Sequence, residues 1–333
     1  MVEQYEVLRA KTKEEGTGVR ADDAMSEAGR KILAFHFARM LKEETAVRKG
    51  SDVEAVHDMR VATRRMRSAI RIYSPFFEEA AIRPLARRLR KIARLLGAVR
   101  DLDVFRLKAE AYADTLSRRE RKAFQPLLDT WQAQEDAARI PLIKYLDGRR
   151  YATFIERFTD FVLTPGKGAL RLEVSDPEGL PVPHRVCDIA PRLIYTQYGA
   201  VHAYAPYLTE ATEDALHALR IEIKRLRYTL EAFADVLGPE AATAIDATKA
   251  MQDHLGDLQD ARVAVGMLAE YLAAHTNADS SELISAATVR AVQRYMAWRE
   301  DERARLKAGV LEAWSAFATP DVRRAMALAV AVL

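Results

Sequence analysis

The stretch VHDMRVATRRMR, residues 56–67, sets a histidine and three arginines along one line of a helix, and LHALRIEIKRLR, residues 216–227, sets the same pattern down again. At about 100° per residue, His57, Arg60, Arg64, Arg67 and Arg71 fall within an arc of roughly 80°. Met59, Ala62, Met66, Ala69, Ile70 and Tyr73 fall opposite them. The second copy places His217, Arg220, Lys224 and Arg227 opposite Leu219, Leu226, Leu230 and Phe233. Like charges three and four residues apart destabilise a helix by a few tenths of a kcal/mol per pair. A strain kept in two places calls for a counter-charge from outside the helix.

The repeat extends beyond these helices. His57, Arg60, Arg64, Arg65 and Arg67 align with His217, Arg220, Lys224, Arg225 and Arg227 at an offset of 160, and LLGAVRDLDV (95–104) aligns with HLGDLQDARV (254–263) at an offset of 159. Helical period runs through almost the whole chain. Helices are expected over about 22–49, from the Ser51/Glu54 capping pattern to Tyr73, over 84–116, 118–146 and 151–163, and again from Asp188 onward. The stretch TPGKGALRLEVSDPEGLPVPHRV (164–186) holds four of the twelve prolines and reads as a linker, with ALRLEV as a candidate short strand. The expectation is an all-α protein of two antiparallel helical bundles related by an internal pseudo-twofold symmetry. Its divisions are a tail (1–21), a first half (22–163), a linker (164–187) and a second half (188–333).

Charge is distributed unevenly. The net charge of the 333 residues is only +3, yet His57 to Arg100 holds twelve Arg and Lys against three acids, so the remainder sums to −6. The helix over 84–116 adds a third stripe of Arg83, Arg87, Arg90 and Arg94; in the second half Lys249 stands at the place of Arg90 and Asp253 at that of Arg94. Solvated helix faces usually mix both signs, and the 57–71 stripe has no acid on it. A polyanion ligand is the reading that follows, with His57 and His217 as further donors.

Other chemistries find less support. Glu54-x-x-His57 and Asp214-x-x-His217 have the spacing of di-metal bundle ligands, but the next two turns carry Arg60 and Arg64, which repel a cation. There is no Gly-x-Ser-x-Gly and no Gly-rich phosphate loop. A single cysteine, Cys187, an N-terminal segment without an apolar stretch and no apolar run long enough to span a bilayer imply a soluble, cytoplasmic protein.

HDMRVATRRMRSAIRIY with LGAVRDLDV, and HALRIEIKRLRYTLEAF with LGDLQDARV, resemble the CHAD family (conserved histidine α-helical domain) over roughly residues 22–318. The resemblance implies two helical bundles whose basic helices line a cavity or groove that binds inorganic polyphosphate, without catalysis and without a cofactor. Carried over by position, the contacts are His57, Arg60, Arg64, Arg65, Arg67, His217, Arg220, Lys224, Arg225 and Arg227, with Arg90, Arg94 and Lys249 as additions. Arg65 and Arg225 lie about 80° off the main stripe. Asp101 and Asp260 are expected to orient arginines, and Gly97 and Gly256 to let helices approach closely. Family members often carry a triphosphate-cleaving tunnel domain marked by Glu-x-Glu-x-Lys on a strand. The nearest string here, Arg220 to Lys224, lacks the first Glu and falls in a helix, so no enzyme activity is expected.

The rival readings are a general polyanion or nucleic-acid binder and a scaffold that docks an acidic partner. The stripes carry no interleaved aromatics for stacking bases, which favours polyphosphate over nucleic acid. Attachment to polyphosphate granules, phosphate homeostasis and enzyme recruitment are all compatible with such a groove.

Overall fold

The computed structural model describes residue 8 and residues 16–50, 53–171, 175, 177–180, 182–276 and 283–333. Among these there is no strand, and two isolated bridges join Ala24 to Arg185 and Phe77 to Ala169. Of the candidate strand, Ala169 makes one bridge, while residues 172–174 lie outside the described residues, as does Ser51 of the expected capping pattern.

Within residues 16–333, among the described residues, five α-helices precede the linker: α1 (Met25–Lys49), α2 (Val53–Tyr73), α3 (Glu79–Ala113), α4 (Arg118–Leu146) and α5 (Arg149–Leu163). Six follow it: α6 (Val186–His202), α7 (Glu213–Ala232), α8 (Ala241–Thr276), α9 (Ala286–Ala308), α10 (Val310–Phe317) and α11 (Pro320–Val330). Local chemistry sets their ends. Gly50 adopts φ 67° and its N–H closes α1 on the Ala46 carbonyl, a conformation that favours glycine. Ser117 and Glu120 form a reciprocal capping box at the start of α4, and the Thr212 hydroxyl accepts from the Ala215 N–H at the start of α7. The third helix begins five residues earlier than its sequence suggests, at Glu79, with Pro84 in its second turn.

The order of packing repeats. Helix α2 lies against α1 and α3, as α7 lies against α6 and α8, and three corresponding pairs join the halves, α2 with α7, α4 with α9 and α1 with α6. Tyr73 at the end of α2 meets Phe233 just past α7 edge-on, ring centroids 5.9 Å apart. These two residues correspond at the offset of 160, so the repeat packs against itself.

Both cores are shared by the halves. One runs from Ala28, Phe37 and Met59 through Phe154 and Phe158 to Leu219, Leu230 and Phe317. The second sits at the far ends of the long helices, where Phe105, Phe124 and Trp131 pack with Leu268, Tyr271 and Tyr295. Each fully buried aromatic or aliphatic side chain contributes on the order of 1.5–3 kcal/mol. Among the described residues no helix is long and apolar enough to cross a membrane.

Candidate functional site

Helix α2 buries Met59, Ala62, Met66 and Tyr73 in the shared core, which turns its basic stripe outward. Helix α7 does likewise with Leu219, Ile223, Leu226 and Leu230. Because α2 and α7 pack together, their outward faces converge on a concavity of about 510 Å³ that α3 closes on one side. Arg64, Arg67 and Arg71 reach it from α2, Arg83 and Arg90 from α3, and Lys224 and Arg225 from α7. Buried Ile70 and Ile82 also line it. Among its lining residues the one acid is Glu79, which pairs with Arg83 at 3.2 Å.

Lys224 is the electrostatic centre. Its ammonium is pushed down from 10.5 to about 8, first by burial and then by Arg220, Arg64, Arg67 and Arg60. Arg64 is lowered mainly by burial; its Nε is buried without a hydrogen-bond partner, and its guanidinium lies 5.6 Å from the centre of the Tyr228 ring. Burial followed by Arg90 lowers Arg67, and burial followed by Arg225 lowers Arg71. Cations from both halves therefore face one another across the groove with little internal compensation, and a multivalent anion would relieve their repulsion.

The model of the CHAD domain matches residues 31–269. The chain belongs to the CHAD family. A crystal structure of the CHAD domain from the plant Ricinus communis superposes with a TM-score of 0.70 at 23% identity, covering 91% of this chain and 95% of that one. PptA from Streptomyces chartreusis superposes with a TM-score of 0.62 at 15% identity, covering 88% and 99%. At these identities the likeness shows the fold alone. No curated protein matches the chain.

Within this CHAD fold the expected contacts divide into three groups. Arg64, Arg67, Arg90, Lys224 and Arg225 line the groove, although Arg225 also pairs with Glu222 at 2.5 Å. Arg60 and Arg220 act on Lys224 from beside it, with Arg60 held by Asp101 at 3.0 Å. The rest point elsewhere. Arg65 lines a separate cavity of about 300 Å³ with His36, Arg39 and Asp235, and it pairs with Glu231 at 3.3 Å. Arg227 is not among the groove's lining residues and donates to the same Glu231 at 2.8 Å. Arg94 and Lys249 are exposed and do not line the groove; Arg94 lies one helical turn beyond Arg90, and no residue of α8 is among the lining residues.

Neither histidine lines the concavity. His57 is lowered, first by burial and then by Arg100, so it stays neutral near pH 7, and its Nδ1 is buried without a partner. The His217 Nδ1 lies 2.9 Å from Gln259 Oε1, and Arg262 holds Asp214 at 2.8 Å, which engages both members of the Asp214-x-x-His217 pair separately. The two glycines also differ from expectation. A Cβ on Gly97 would sit 4.0 Å from Arg60 Nε and one on Gly256 3.8 Å from Arg220 Nε, so they stand over guanidinium groups and not over another helix backbone. The tight approach is at Gly29, where a Cβ would come within 2.8 Å of Tyr73. Arg71 and Arg83 were missing from the expected contacts, although both lie on the stripes that the helical wheel drew.

Proposed function

We propose that this CHAD protein binds inorganic polyphosphate in the groove between α2, α3 and α7, and that it does so without catalysis. The observation that supports this most is Lys224, half-buried among four arginines drawn from both halves. Polyphosphate is a flexible chain with about one charge per phosphate and no bases to be read, so a long positive groove suffices to hold it. Arg64 to Arg71 spans seven residues of α2, about 10 Å at 1.5 Å per residue, enough to follow several phosphates. The planar guanidinium fork donates two bonds to one phosphate. Counterion release would supply much of the affinity, which should fall steeply with salt. With Glu79 as its one lining acid, already engaged by Arg83, the groove offers no carboxylate set for Mg²⁺-assisted phosphoryl transfer. A cytoplasmic place beside polyphosphate granules follows from the same reading.

The test is titration with long-chain polyphosphate across a salt series, with duplex DNA and single-stranded RNA as competitors. Arg64→Ala combined with Lys224→Ala should weaken binding at least 100-fold at about 0.1 M salt, since each lost charge-assisted contact is worth about 1.5–3 kcal/mol. Equal displacement by nucleic acid would make the protein a general polyanion binder. Unchanged binding by the double variant would remove the groove from consideration.

A further inference from the structure

A second basic cleft lies on the other side of α3. It measures about 430 Å³ and is lined by Arg87 and Arg88 from α3 and by Arg149, Arg150 and Arg157 from α5. Buried Leu85 and Phe154 lie among these arginines, and no acid is among the lining residues. None of the five arginines has an ion-pair or hydrogen-bond partner among the described residues, whereas Arg48, Arg100, Arg106 and Arg227 elsewhere each hold a carboxylate. Two of the five open α5, where the unpaired N–H groups of the first turn add positive potential.

The arrangement belongs to one half. Asp246 and Ala247 occupy the α8 positions of Arg87 and Arg88, and α10, which follows α9 as α5 follows α4, reads VLEAWSAF without a basic residue. Five unpartnered guanidiniums around one cleft repel one another, and the second half shows that the fold does not require them.

Helix α3 connects cleft and groove. Arg83 and Arg90 line the groove while Arg87, four residues after the first and three before the second, lines the cleft. Residues at those spacings are neighbours on a helix surface, about 4.5–6 Å apart along the axis. We propose that the α3–α5 cleft is a second phosphate-chain site, and that a polyphosphate too long for the groove crosses α3 over Arg83, Arg87 and Arg90 to occupy it. The inference rests on polyphosphate binding in the groove and adds a consequence of its own: chain-length preference arises in the first half of the molecule alone.

The test uses the full chain with Arg149→Ala, Arg150→Ala and Arg157→Ala combined, three exposed positions on α5. Wild type and variant are titrated with tripolyphosphate and with long-chain polyphosphate across a salt series, and far-UV circular dichroism confirms the helices. Tripolyphosphate affinity should stay within about twofold. Long-chain affinity should fall at least tenfold at low salt, and the slope of log K against log salt should drop by about two to three, roughly one per lost phosphate contact. If the triple variant loses helical signal, Arg150→Gln alone carries the same comparison with a slope change near one. Unchanged long-chain affinity and slope would overturn the second site. Equal weakening of both ligands would overturn it too, since that is the mark of a general field. Absence of polyphosphate binding by the wild type would instead overturn the groove reading, and this inference with it.

Discussion

Helices α2 and α7 carry the same motif and end in different electrostatic company. On α2, Arg64, Arg67 and Arg71 line the groove, and among the described residues no carboxylate pairs with any of them. On α7, Glu222 holds Arg225 at 2.5 Å and Glu231 holds Arg227 at 2.8 Å, three residues before and four residues after their partners. The residue of α7 left to face the groove without a carboxylate is Lys224, which burial and four guanidiniums hold near pH 8. The duplication thus kept the positions of the cations and divided their work. One copy presents charge to the groove; the other pairs half of its charge with acids of its own helix.

The largest expected effect follows from that lysine. An unperturbed lysine keeps its charge to 10.5, but Lys224 loses its proton near pH 8 in the unliganded protein. A polyanion would favour the charged form, so binding takes up a proton between about pH 8 and pH 10. Affinity should fall as pH rises through that window, by at most tenfold per unit. Folding runs the other way: the buried ammonium costs stability below about pH 8, and the cost is relieved as pH rises toward 10.5. Calorimetry at pH 8.5 in two buffers of different ionisation enthalpy measures the uptake. Lys224→Arg should abolish it and flatten the profile. An equal uptake in that variant would mean that Lys224 is not the coupling group.

A smaller effect separates the corresponding arginines Arg67 and Arg227. Arg67→Ala should weaken polyphosphate binding about tenfold, the lower range for a charge-assisted bond, and leave stability nearly unchanged. Arg227→Ala should leave binding within about twofold. It should lower stability by about 1–2 kcal/mol, because Glu231, a half-buried carboxylate, keeps Arg65 alone as partner. Denaturant unfolding beside the titration distinguishes them; a similar loss of binding in both would make the two copies equivalent after all.

The contrast between the copies was partly legible. Period and duplication marked the helices, and the wheel placed Arg64, Arg67 and Lys224 on outward stripes, because which face of an amphipathic helix is buried is a local property of its sequence. The fates of Arg65 and Arg227 depend on Glu231. Its spacing from Arg227 is a sequence signal that passed unused, but its reach to Arg65 on α2 exists only after the halves pack. The ends of long helices were the weakest point. Arg94 and Arg90 share a stripe on α3, yet only Arg90 lies where α2 and α7 meet, and no periodicity reports how far a neighbour extends. The α3–α5 cleft was invisible for the same reason: its arginines come from segments about sixty residues apart, brought together by the packing of α5 on α3.

The smallest effect would move α7 toward the state of α2. Glu222 accepts from Gln197 at 2.6 Å as well as from Arg225, and its charge also acts on Arg71 across the groove. Glu222→Gln keeps the size of the side chain and a hydrogen bond to Gln197, while it frees Arg225 and removes an acid from beside two groove cations. Affinity for polyphosphate should rise about two- to fivefold, with the salt slope steeper by up to about one, the signature of one added phosphate contact. The gain is small because Arg225 is half exposed, so water and salt already screen its pair with Glu222. If affinity falls instead, the Arg225–Glu222 pair is positioning Arg225 for the ligand. The acids of α7 would then belong to the binding surface and would not be a brake upon it.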